Sequence, residues 1–124
     1  MRPAGSVEIR FINIFTITMP AFDMKKLQEE LKYYEGVVLK IYPDPLHGST
    51  HPTCGVGHLL VPGDKHYGLP MGTVITEEDM MDYLNRDSAT ALAESRRLYA
   101  DFDNLPSDVQ LIIADMMFNL GYCK

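Results

Sequence analysis

The segment from Val109 to Leu120 limits what this chain can fold into more than any other. Val109, Leu111, Ile112, Ile113, Ala114, Met116, Met117, Phe118 and Leu120 occupy nearly every side of a helix that Pro106-Ser107 opens and Gly121 closes. A helix apolar all round belongs at the centre of something. Only Tyr122, Cys123 and Lys124 follow it, and the elements before it can cover one side, so the chain reads as physically incomplete. The uncovered face predicts self-association or docking of a second chain.

With 124 residues, 46% of them apolar and 23% charged, the chain has the length and composition of one globular domain, which excludes disorder as its main state. A net charge of -6 lacks the positive field that neutralises phosphates, so nucleic acid is not expected as a partner. The longest strongly apolar run, Leu111 to Ala114, is far short of the about 20 residues a membrane span needs. Two cysteines, Cys54 and Cys123, make no disulfide framework and read as reduced thiols. Residues 1–22 read first as a flexible extension. An edge strand, from the alternation of Val7, Ile9 and Phe11, and a degenerate secretory signal without a cleavage pattern are the alternatives.

From residue 23 the pattern is more regular. Asp23 is a helix N-cap, and Met24, Leu27, Leu31 and Tyr34 follow at spacings of three and four until Gly36. Val37 to Tyr42 predicts a strand broken by Pro43-Asp44-Pro45, and Thr53 to Val56 a second short one. Thr76, three residues before Asp79, predicts a capped long helix with Met80, Tyr83, Leu84, Ala91 and Leu98 inward and Glu77, Glu78, Asp82 and Arg86 in water. That helix should fray near Asp101 to Asn104.

Two carboxyls carry candidate chemistry. Glu35 ends the first helix, where the negative end of the helix dipole disfavours an ionised carboxylate and so suits a general acid. Asp44 follows in a polar loop that suits the ionised form. Such a pair is what glycoside hydrolysis requires, one group protonating the leaving oxygen and the other steadying positive charge or handling water.

Glu35-Gly36, Leu39-x-Ile41-Tyr42-x-Asp44 and Thr53-x-Gly55-x-Gly57-His58-Leu59, in this order, resemble the phage-type lysozymes. So do Val74-Ile75-Thr76, opening a helix that reaches Asp87, and Phe118-Asn119-Leu120-Gly121; the likeness runs from about Met24 to Gly121. The resemblance implies a lysozyme-like, mainly helical α+β fold: a lobe of one helix and a small β-hairpin, joined by a long helix to a helical lobe. Residues 23–124 would form this domain, its C-terminal lobe incomplete because the family's later helices do not follow Lys124. It implies muramidase activity on peptidoglycan, inverting, without a cofactor or metal. Glu35 would be the acid, Asp44 the second carboxylate, Thr53 the holder of the attacking water, Leu59 and Phe118 the cleft lining, and His58 with Asp87 a structural ion pair. Phe118 is as readily a core residue. Gly55 and Gly57 would let the backbone approach substrate or turn tightly. The place of action would be the host cytoplasm and then the bacterial wall for a viral protein, and otherwise outside the cell.

Two departures stand beside the match. The eight residues between Asp44 and Thr53 exceed the family's compact hairpin, and the acidic charge repels anionic walls at low salt. These, with the short C-terminus, keep open a non-catalytic glycan-binding or structural module. A zinc hydrolase using His47, His51 and His58 with Asp44 or Cys54 is a weaker third reading, because a Gly/Pro loop does not fix ligand spacing as a helix does.

Overall fold

A computed structural model describes residues 21–44 and 51–120. The amino-terminal segment through residue 20, His47, Gly121 and Cys123 lie outside these residues, and so do the readings made of them. Asp23 accepts a hydrogen bond from the Lys26 amide at 3.0 Å and starts helix α1, Met24–Glu35, which buries Leu27 and Leu31 as their spacing requires. Tyr34, assigned to the same face, is instead 76% exposed. Tyr33, Tyr34 and Glu35 are all exposed, so the last turn stands clear of the core.

Three antiparallel strands follow in the order β1 (Val38–Asp44), β2 (His51–Gly55) and β3 (His58–Leu59). Pro43 does not end β1 as the sequence suggested. It pairs with Pro52, whose carbonyl accepts from the Leu60 amide at 2.9 Å rather than from β1, so the missing N–H of Pro43 leaves that carbonyl satisfied and the ladder continues to Asp44 opposite His51. The second strand accordingly begins at His51 rather than Thr53. On its other side β1 is covered by residues 73–75: the Ile41 amide donates to the Thr73 carbonyl at 2.9 Å and the Ile75 amide to that of Leu39 at 3.1 Å.

Helix α2, Glu77–Leu98, carries the capping box. The Asp79 amide donates to the Thr76 hydroxyl at 3.0 Å, and the Thr76 amide to the Asp79 carboxylate at 3.4 Å. Acids fill its first turn and Arg96 and Arg97 its last, as the helix dipole favours. Met80, Tyr83, Leu84 and Ala91 are buried; Leu98, at the helix end, is half exposed. Where fraying was expected, a 3-10 helix, Phe102–Asn104, buries Phe102, and Gln110 Nε2 donates to the Phe102 carbonyl at 2.9 Å.

The last helix, α3 (Ser107–Leu120), packs on α2 and buries Leu111, Ala114, Met117 and Phe118. Its opposite side carries Ile112, Met116 and Leu120, which are 60%, 48% and 67% exposed. One core joins all three helices and the sheet, through Leu27, Leu31, Ile41, Leu84 and Ala114. The fold is α+β and mainly helical. Among the described residues no helix is long and apolar enough to cross a membrane.

Candidate active site

Glu35 closes α1 because Gly36, at φ +81°, turns the chain in a conformation that side chains rarely adopt, its amide donating to the Lys32 carbonyl at 3.0 Å. The Glu35 carboxylate then meets the β2–β3 turn. A β-carbon on Gly57, where φ is +61°, would stand 3.2 Å from Glu35 Oε1. Gly55, the other glycine of this turn, faces the Met80 side chain instead.

The β1–β2 register sets Tyr42 opposite Thr53 and Asp44 opposite His51. Opposed residues and those two apart share a face, so these four side chains lie on one side of the two strands. Burial, then the negative charges of Asp44 and Glu35, push the Tyr42 phenol above its ordinary value. Thr53 is wholly buried, and its hydroxyl donates to the His51 carbonyl at 3.1 Å. Nε2 of His51 is also buried but, among the described residues, has no hydrogen-bond partner. Such an omission costs about 1–3 kcal/mol.

A cleft of about 230 Å³ opens between the sheet and the helices, walled by His51, His58 and Leu59 on one side and Asp87, Met117 and Phe118 on the other. Leu59 and Phe118 thus lie in one wall system. Phe118 is also buried in the core, so its two readings coincide. Glu35, Asp44 and Thr53 are not in the cleft wall; His51, across from Asp44, links their face of the sheet to it.

His58 lies 2.7 Å from Asp87 Oδ2 through Nδ1 and 2.8 Å from Asp64 Oδ2 through Nε2, and its ring stacks on Tyr83 at 4.2 Å. Burial opposes the imidazolium, but the hydrogen bonds and charges of Asp87 and Asp64 outweigh it and raise the pKa above 6.5. Asp64 was not read from the sequence. It sits just past Pro62-Gly63, a turn that folds it back onto His58, and it also takes hydrogen bonds from the Val61 amide at 3.0 Å and Arg86 at 3.1 Å. Burial opposes its charge, but these partners hold the carboxyl below its ordinary 3.8. His66, likewise unread, is buried with Nδ1 2.7 Å from the Tyr83 hydroxyl and Nε2 3.4 Å from Asp79.

Among the described residues no three His, Cys, Asp or Glu side chains gather as metal ligands; His47, which the zinc reading uses, lies outside them. Cys54 is a buried free thiol, pushed up to about 11 by burial and then by the charges of Asp64, Asp87 and Asp79.

A small antiparallel sheet with carboxylates beside it, joined by a long capped helix to further helices across a cleft, defines a lysozyme-like α+β protein. The family model described as phage lysozyme matches residues 32–124, and the chain belongs to that family, whose common activity is peptidoglycan hydrolysis. No curated protein matches the chain.

Proposed function

We propose that this chain is a muramidase that cleaves the β-1,4 bond between N-acetylmuramic acid and N-acetylglucosamine with inversion, and so lyses bacterial walls. Glu35 protonates the glycosidic oxygen, and Asp44 is the second carboxylate. The observation that carries this reading is the empty Cβ position of Gly57 beside Glu35 Oε1, because it leaves the acid unobstructed where helix and sheet meet. The family match and the placing of Asp44 on the same face of the sheet as Thr53 support it. The Thr53 hydroxyl donates its hydrogen bond to the His51 carbonyl, so its oxygen is left to accept from a water and orient it. Leu59 and Phe118 offer apolar surface to sugar faces. No cofactor enters the reaction. The site of action is the bacterial wall, reached from the host cytoplasm if the chain is viral. Exposed Ile112, Met116 and Leu120 supply a surface for self-association.

A non-catalytic glycan-binding module is favoured by one observation: Thr53 has no exposed surface, so a water reaches its hydroxyl only if its surroundings move aside. Release of reducing ends from purified peptidoglycan strands separates the two. The muramidase reading expects it from the native chain and a loss of about 10²- to 10⁴-fold in Glu35→Gln. Strands that bind and sediment with the protein uncut mean a binder.

A further inference from the structure

We propose that His51 is a glycan-contacting residue of the cleft, offering a ring nitrogen to a hydroxyl or acetamido group of the bound sugar chain; this rests on the muramidase reading. Three observations meet at this residue. His51 walls the cleft together with Leu59 and Phe118. The sheet register fixes it opposite Asp44, and its carbonyl holds the Thr53 hydroxyl, so ring, carboxylate and hydroxyl are carried by two paired strands. Among the described residues, its Nε2 is the one buried side-chain nitrogen or oxygen without a partner.

The other described histidines show what the fold does for a buried imidazole. His58 has a carboxylate on each nitrogen, and His66 has Tyr83 on one and Asp79 on the other. His51 is left with an unmet nitrogen at the edge of a cleft, which destabilises the free chain and is relieved when a polar ligand arrives. Among the described residues no hydrogen bond holds Nε2, so a ring that turns about its Cβ–Cγ bond toward a sugar gives up none at that atom. Neutral imidazole carries one donor and one acceptor, which suits a glycan's mixed hydroxyl and amide groups.

His51→Phe keeps a planar ring and removes both nitrogens. It should melt higher than the native chain, because an apolar ring no longer buries an unmet nitrogen, and yet show a KM for soluble, uncrosslinked peptidoglycan strands raised about ten-fold with kcat little changed. His51→Gln, which restores a donor, should recover part of the affinity. A purely structural histidine would change the melt and leave KM alone, and an unchanged KM in His51→Phe overturns the proposal. Should His51→Phe not fold, the same strands are titrated into Glu35→Gln protein, which leaves them uncut, and the His51 ring ¹⁵N signals are followed. A shifted Nε2 signal supports the contact, and an unmoved one overturns it. A native chain that neither binds nor cuts strands removes the muramidase reading and this one together, whereas normal cutting by His51→Phe removes only this one.

Discussion

The Glu35 carboxylate occupies the space a side chain on Gly57 would take, 3.2 Å from the β-carbon position. Glu35 Oε1 is the far end of a flexible side chain, so Gly57→Ala displaces it cheaply. The stability cost comes instead from the backbone, since alanine at φ +61° costs about 1–2 kcal/mol. Activity should fall further than stability, about 10- to 100-fold, because the acid is moved from its place. Paired denaturant melts and strand-cleavage rates check this; a variant that keeps full activity would show that Glu35 is not held against the turn for catalysis.

Inversion places water on the face of the sugar opposite the leaving oxygen, with the two carboxyls further apart than in a retaining enzyme. The first product released should therefore be the α-anomer, seen by proton NMR in the opening minutes before mutarotation. A β-anomer would reassign Asp44 as a nucleophile. Asp44→Asn should be nearly as severe as Glu35→Gln, and Glu35→Gln should leave the melt unchanged because Glu35 is exposed.

What the sequence made legible was periodic and local. Leu27 and Leu31, the Thr76–Asp79 box and the inward row from Met80 to Ala91 need only neighbours in the chain, and the structure has each of them. The errors fall where a partner distant in sequence decides. Pro43 stays in the strand opposite Pro52, and Tyr34 is exposed because, among the described residues, the core does not reach its side of the last turn of α1. Phe102 is buried because Gln110 and the helices close over a segment that local composition marks as polar. In the site, residue types and order pointed to Glu35, Asp44 and Thr53. The Asp64 clamp on His58 and the unmet nitrogen of His51 depend on how a turn and a register fold back, and only the Pro62-Gly63 turn was a signal for either.

The paired acids around His58 set a pH window. A raised histidine pKa adds stability that is full below the unfolded value of about 6.5 and is lost as pH rises through the folded value. A lowered Asp64 pKa adds stability that is full above the unfolded 3.8 and is lost as pH falls through the folded value. Both contributions are complete only between these limits. Because His58 and Asp64 are almost fully buried, His58→Gln leaves carboxylates facing each other and should cost about 3 kcal/mol within that window. Melts of the two proteins from acid to alkaline pH should converge on both sides of it; a constant difference would show that the ring contributes packing alone.

Cys54 should be chemically silent in the folded chain. With its thiol pushed up to about 11 and no exposed surface, it offers almost no thiolate at neutral pH. In a Cys123→Ser background, a thiol reagent such as dithionitrobenzoate should react only after denaturant is added. Prompt reaction in buffer would mean that the strand carrying Thr53 and Cys54 opens readily, and would weaken any role that needs it rigid.

The exposed row on α3 should make the chain associate. Ile112, Met116 and Leu120 recur every fourth residue and so line one face of the helix, and covering them is worth about 1–2 kcal/mol each. Sedimentation velocity should show a coefficient that rises with protein concentration. The double substitution Ile112→Glu and Met116→Lys breaks the row without changing the net charge, and it places the acid one turn before the base, the arrangement a helix favours. Both positions are exposed, so its stability should stay within about 0.5 kcal/mol of the native chain while the concentration dependence disappears. A native chain that sediments as a monomer at every concentration would show that this face does not associate, and a double variant that melts far lower would show that the face is covered within the chain itself.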